Sequence, residues 1–411
     1  MASAANNNTL QFRSLTHVES KSPHFLAAIQ VVAHVVAPLR KALVNFYFLT
    51  NKEIGVERKL EWRFLRALGK LVKELTSAPA STSDITQSDN CVDNDDNSDM
   101  TRVSVDPTDF YSILMPTLDH LKQSKKPKDA TVALQIVLES IQRCARTLPL
   151  TSHLWVALLD QAGLGLKGKA SIVGQCPLID DGEILQRTQK ETILEWCPLR
   201  LPLEKNLEQA LQNYCGRKPF VYDFDTKPYQ FEVRIPLLSP QQFEGVDASC
   251  WKTTKSVIYT ELTSFLFLGI DRFCSDEVDA SEVIVPTTLD VRRYCDKSVV
   301  GTKFELVAGV LHDEGDYVAL LRNPNVSNKN DDDAWMLMES EEVIPMTETD
   351  ALDFLQGDDE GAPCGTLVVY RRCDDGSTLK SLLSDIIISQ ISGSLDSATD
   401  EFYYEEEVID N

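Results

Sequence analysis

The chain predicts an α+β fold with its helices gathered early and its strands late, and two observations carry that expectation. From Phe25 to Val36 and from Lys59 to Leu75 apolar side chains recur at helical spacing, whereas from Ser264 to Arg372 they form short runs closed by turn residues. The clearest runs are SFLFLGIDRF from Ser264 to Phe273, KFELVAGVLHDEGDY from Lys303 to Tyr317, and GTLVVYRR from Gly365 to Arg372. Each has the length and the boundaries of a buried strand.

Composition limits what the chain does. Its 411 residues suffice for a large core, as one large domain or two ordinary ones. A net charge of −23 argues against direct binding of nucleic acid, whose partners show a basic patch or stripe, and a basic protein partner fits better. The ten cysteines include no CxxC pair, so they read as reduced, intracellular residues, and a nuclear or cytoplasmic location is expected. No run approaches the roughly 20 apolar residues of a membrane span, and the polar start MASAANNNTLQ lacks the features of a secretory signal.

The elements follow in order. From Phe25, the residues Ile29, Val32 and Val36, with Leu26 and Ala28 beside them, fall on one helical face. Pro23 suits the first turn, where the N–H it lacks is left unbonded by the helix in any case. Lys59 to Leu75 carries Leu60, Phe64, Leu68, Leu71 and Leu75 on one stripe with basic residues between them, an amphipathic helix expected to pack on the first. Ala78 to Met100 has hardly an apolar residue and cannot offset the entropy of ordering, so a disordered insertion is expected over about 76–103, as is a disordered tail over 1–13. Structure resumes at SVDPTDFYSILMPTL, where Asp106 or Ser104 can cap a helix opened by Pro107. SIVGQCPLI and ETILEWCPLRLPL alternate as paired strands do. In the tail, 374–411, Leu379, Leu382, Leu383, Ile386, Ile387 and Ile391 keep helical spacing before the acidic end DEFYYEEEVIDN.

The succession SFLFLGIDRF, VIVPTTLDV, FELVAGVLH, GDY, AWMLMESEEV and GTLVVYRR resembles the carboxyl-terminal half of the ubiquitin-specific proteases, cysteine deubiquitinases of papain-like fold. That family usually reads LIIxLKRF, FPxxLDL, YxLxAVVxH, GHY, WYxFND and AYLLxY. Ala27 to Gln30 and Pro38 to Arg40 match its first helix, and KKPKDATVALQIVLESIQRC resembles its QQDAxEFLxxLLDxL helix, with Asp129 and Ala130 in place and the aromatic residue missing. The resemblance implies one domain over residues 14–373, with a helical thumb from 14 to 145, a mainly antiparallel β palm from 220 to 373 and a fingers region between them. In the family the fingers hold zinc through two CxxC pairs. This segment offers only Cys176, Cys197 and Cys215, so reduced, zinc-free fingers and no cofactor are expected.

The chemistry of the family needs a thiolate, a histidine base and a group that orients the histidine. Counting back from Gln30 puts Pro23 at the nucleophile's place, and no thiol precedes Cys91. GHY becomes Gly315-Asp316-Tyr317, and the orienting residue becomes Glu339. His312 corresponds to the family's other, non-catalytic histidine. The resemblance therefore implies a catalytically inactive interaction protein, similar to the inactive members of the spliceosomal tri-snRNP. It would hold ubiquitin, a ubiquitin-like surface or a splicing partner, with Asp129, His312 and Tyr317 as the ubiquitin-binding candidates. The alternative is an active cysteine-type ubiquitinyl hydrolase whose thiol comes from elsewhere in the fold. Pro23, Asp316 and Glu339 are expected to converge between thumb and palm. Ser22 and His24 are expected on a solvent-facing turn, and Cys144, Cys250 and Cys295 as small core residues.

Overall fold

The computed structural model of the chain describes residues 13–15, 22–49, 59–76, 105–121, 129–148, 167–180, 183–196, 198–216, 218–220, 253–274, 277–313, 315–324, 326, 331–339, 342–358 and 363–373. The expected insertion beyond Thr76, the expected tails up to residue 12 and from residue 374, and Cys91, Cys197 and Cys250 lie outside these residues, whereas Arg13, expected in the first tail, is described and donates to the Glu74 carbonyl at 2.7 Å.

Five helices form one layer: α1 (Pro23–His34), α2 (Ala37–Phe48), α3 (Lys59–Thr76), α4 (Thr108–His120) and α5 (Ala130–Ala145). α1 is the central one and is buried around almost its whole circumference, which suits its mostly apolar sequence, and His24, Gln30 and His34 are buried with it. The helical periodicity that runs through Val36 in the sequence stops earlier, at His34, and the chain bends by 102° before α2. Pro38 explains the break, because it cannot donate to the carbonyl four residues back. Arg40 closes the open end, its guanidinium donating to the Ala33 carbonyl at 2.7 Å.

α3 is amphipathic as its stripe predicts, with Phe64, Leu68, Leu71 and Leu75 buried. It crosses α2 so closely at Gly69 that a Cβ there would lie 2.1 Å from the Leu43 carbonyl oxygen. Phe25, Phe64 and Phe110 meet with ring centroids 5.9 to 6.2 Å apart and join α1, α3 and α4. α4 begins at Thr108 with Pro107 as its N-cap, and the Asp106 carboxylate accepts from the Thr108 N–H at 2.9 Å. The buried Glu61 carboxylate accepts from Arg143 at 2.9 Å and ties α3 to α5.

The strands are β1 (Lys167–Asp180), β2 (Glu183–Trp196), β3 (Leu199–Pro202), β4 (Lys218–Phe220), β5 (Thr253–Glu261), β6 (Phe265–Asp271), β7 (Phe273–Cys274), β8 (Glu277–Val278), β9 (Thr288–Asp290), β10 (Lys303–Asp313), β11 (Asp316–Arg322), β12 (Trp335–Met338), β13 (Val343–Met346) and β14 (Cys364–Arg372). The large sheet runs β13-β12-β11-β10-β14-β6-β3, with β9 also pairing β10. All its pairs are antiparallel except β3 with β6. The architecture is thus α+β with a mixed sheet. β1 and β2 make a long antiparallel hairpin that continues through β5 to β4 in a second sheet. The strand reading of ETILEWCPLRLPL divides here. Its first part belongs to that hairpin, whereas Leu199–Pro202 joins the large sheet, because Leu199 and Leu201 are buried beside β6.

Two further helices, α6 (Leu207–Cys215) and α7 (Glu348–Gln356), flank the sheets, capped by the side chains of Asn206 and Thr347. The apolar runs that stand out in the sequence are the middle of the large sheet. Phe267, Leu268, Val310 and the segment Leu367 to Tyr370 are all essentially inaccessible. The face of the sheet carrying β10 and β11 packs against α1, so the helical layer and the sheet meet along one seam.

Candidate functional site

The seam begins at the head of α1. Pro23 occupies the first helical turn, and Ser22 stands as N-cap without a side-chain capping bond. Opposite lies the β10–β11 hairpin, whose last pair is Asp313 with Asp316. Gly315 takes φ +101° in its turn, a left-handed conformation that glycine adopts without steric cost. The tightness of that turn puts His312 directly across from Tyr317.

A row of rings spans the seam. Phe273 lies 6.4 Å from His312, His312 lies 5.0 Å from Tyr317, and Tyr317 lies 5.8 Å from His24, all with edge-on geometry. The last of these contacts joins sheet to helix. Because Pro23 adjoins His24 and Asp316 adjoins Tyr317, the same contact brings the head of α1 next to the Asp316 end of the hairpin. Glu339 directly follows β12, which pairs β11 through Ala319 and Met338, so it lies on the neighbouring strand at the same end of the sheet. Asp316 and Glu339 are both exposed, as is fitting for carboxylates at a strand end.

Ser22 and His24 overturn the expectation of a solvent-facing turn. They are 3% and 7% exposed, because the first turn of α1 is covered by β11 instead of standing free. His312 is half-buried, and burial lowers its pKa against the opposing pull of Asp313 and Asp316, so the ring is neutral at neutral pH. Burial raises the Tyr317 pKa, and the nearby Asp129 carboxylate and Cys364 thiol raise it further, keeping the phenol protonated.

Asp129 is therefore close to Tyr317, but its carboxylate is committed. One oxygen accepts from the Thr131 N–H at 2.8 Å and caps α5, while the other accepts from Arg200 on β3 at 2.6 Å. With the residue 2% exposed, Asp129 fixes the end of α5 against the edge of the sheet. Gly269 on β6 allows that approach, since a Cβ there would meet the Thr131 hydroxyl at 2.3 Å. Asp129, His312 and Tyr317 are thus brought together, and Arg200 joins them without any signal in the sequence, because it pairs with Asp129 across 71 residues.

The described thiols bear on any nucleophile. Cys144 and Cys215 are buried, Cys295 donates to the Val291 carbonyl at 3.2 Å, and burial pushes its pKa up to about 11. Cys364 is the partner of His312 in the β10–β14 ladder. It is 1% exposed, burial raises its pKa, and no hydrogen bond joins it to the imidazole. Among the described residues no group of three or more His, Cys, Asp and Glu side chains could hold a metal ion.

The floor of the site rests on Arg272, which is fully buried. Its guanidinium donates to the carbonyls of Gly365, Asp279, Ser281 and Gln356 at 2.7 to 3.1 Å. The arginine of SFLFLGIDRF is visible in the sequence; the four carbonyls it gathers are not.

No family model and no curated protein matches the sequence. Among solved structures, a chain of the yeast SAGA DUBm, determined with a mutant of Sgf73, is similar at a TM-score of 0.54 and 17% identity, over 90% of this chain and 70% of that one. An identity this low speaks to architecture alone, and it covers both the helical layer and the large sheet. The chain thus has an α+β fold of the ubiquitin-specific-protease type, the type that its strand motifs resemble.

Proposed function

We propose that the chain is a catalytically inactive relative of the ubiquitin-specific proteases that holds ubiquitin or a ubiquitin-like surface along the seam between α1 and the large sheet, in the nucleus or cytoplasm. The observation that carries this reading is the head of α1, where a nucleophile would stand. It bears Pro23, and the space beside it holds the His24 and Tyr317 rings. The active-enzyme alternative needs a thiol near a histidine. Cys364 is the described thiol that the ladder places opposite one, and its burial and raised pKa disfavour the thiolate that attack requires.

Ubiquitin's carboxyl-terminal tail is basic and ends in a carboxylate. Asp313, Asp316 and Glu339 at the end of the seam would attract its arginines and repel its terminus, which favours weak, salt-sensitive binding, given a screening length of about 8 Å at physiological ionic strength. His312 and Tyr317 would line the contact, with Asp129 and Arg200 positioning the helix edge. The structural neighbour is a module assembled with another protein, Sgf73, and work within a protein complex suits this chain too. A splicing complex rests on the sequence resemblance alone.

Titration of labelled ubiquitin at low and high salt tests the reading. Weak binding at low salt that fades at high salt is expected, unchanged or improved in Asp316→Asn and weakened in Asp129→Asn. Absence of binding at low salt would refute ubiquitin recognition. Thiol-dependent cleavage of a fluorogenic ubiquitin substrate by the unmodified chain would refute inactivity.

A further inference from the structure

In a chain of net charge −23, the outer face of α3 is basic throughout. Lys59, Arg63, Arg66, Lys70 and Lys73 are all exposed, and their spacing of four, three, four and three residues lines them up along a single stripe. Lys70 is engaged by Asp109 at 3.2 Å and Glu74 at 4.0 Å. No carboxylate among the described residues pairs with Lys59, Arg63 or Arg66.

Beside the stripe, α2, α3 and α4 line a groove of about 690 Å³ that includes Tyr47, Trp62 and Ile113, with Glu74, Asp106 and Asp109 as its only carboxylates among the described residues against Lys59, Arg63, Arg66 and Lys70. Arg66 sits 5.4 Å from the Trp62 ring and 6.0 Å from Tyr47, and Lys73 sits 5.1 Å from Tyr47 and 4.9 Å from Phe48. Phe48, whose ring lies 5.1 Å from Tyr47, is 41% exposed. Trp62 is 5% exposed, and its indole N–H meets no acceptor among the described residues. The surface therefore offers aromatic rings, the cations Lys59, Arg63 and Arg66 and an unused donor side by side, which matches a ligand that alternates carboxylates with aromatic rings.

The chain contains such a segment. Residues 400–411 read DEFYYEEEVIDN: Asp400 and Glu401, then Phe402, Tyr403 and Tyr404, then Glu405, Glu406 and Glu407. We propose that the groove between α2, α3 and α4, with the basic stripe on its rim, is the docking site of the chain's own acidic segment 400–411. Aromatic rings would enter the groove and stack with Arg66 and Lys73, while the flanking carboxylates would meet Lys59, Arg63 and Lys70. Length permits it: the 27 residues from Cys373 to Asp400 (400 − 373) span roughly 90 Å when extended, more than the breadth of a domain of this size. Tethering also relaxes the affinity needed, because it makes the docking intramolecular. A partner's acidic peptide, a second copy and a nucleic acid are the competing occupants.

Zero-length carbodiimide cross-linking of the full chain, read by mass spectrometry, separates them. Links within the monomer are expected at low salt between Lys59, Lys70 or Lys73 and carboxylates of Asp400 to Glu407. They should disappear at high salt and fall roughly tenfold in the double variant Arg63→Glu, Arg66→Glu, whose changes are solvent-facing. A dye-labelled 400–411 peptide should also bind the full chain in which Phe402, Tyr403 and Tyr404 are alanine, and bind it more tightly than a scrambled peptide of equal charge. Failure to find links to α3, links that persist in the double variant, links confined to dimers, or an oligonucleotide that binds the stripe more tightly than the peptide would each overturn the proposal.

Discussion

Replacing Arg272 with methionine should cost about 3–5 kcal/mol of stability. Arg272 is inaccessible to solvent and donates to four carbonyls drawn from β14, the segment 279–281 and the end of α7. Gly365, one of the four, adjoins the register shift in the β10–β14 ladder, where the strand bonds are irregular. Hydrogen bonds from a charged donor contribute roughly 1.5–3 kcal/mol each, so four give a gross loss of about 6 kcal/mol or more. Relief of the guanidinium's own desolvation offsets part of this, and the methionine chain fills most of the vacated volume, which keeps any cavity cost small. Lysine should recover only part of the loss, because a compact ammonium cannot fork to four acceptors. Urea denaturation followed by tryptophan fluorescence measures it: with a slope of about 3 kcal/mol per molar, the midpoint should fall by about 1–2 M. A fall of less than about 0.3 M, or full rescue by lysine, would refute the clamp.

The other expectations are shorter. Burial lowers the His34 pKa from 6.5 to about 4, so the unfolded chain binds the extra proton between those values. Its contribution to stability is present above pH 6.5 and lost as pH falls toward 4, a change of about 2 kcal/mol between pH 7 and 4.5; His34→Gln should flatten the pH dependence of the urea midpoint by that amount. Gly69→Ala should lose about 2–3 kcal/mol by thermal or urea unfolding, since its Cβ would collide with the Leu43 backbone and push α2 off α3. Pro23→Cys should stay inactive on a fluorogenic ubiquitin substrate, and Pro23→Cys with Asp316→His should recover little. A thiolate works only with a base and an oxyanion site already in place, and turnover by the single variant would contradict that.

What the sequence determined by itself was local. The stripe of α3 and the apolar runs that became β6, β10 and β14 were legible because helical and strand periodicity depend on neighbours a few residues apart. The order of the strand motifs also pointed to the fold type. Tertiary structure decided what depends on which strands and helices become neighbours. The burial of Ser22 and His24 comes from β11 lying across the head of α1, and the transfer of Leu199–Pro202 to the large sheet comes from a place beside β6. The pairing of Asp129 with Arg200, and of Cys364 with His312, is set by packing and ladder register, which no periodicity encodes. These long-range choices follow from burying the most apolar surface in one core, a property of the whole chain.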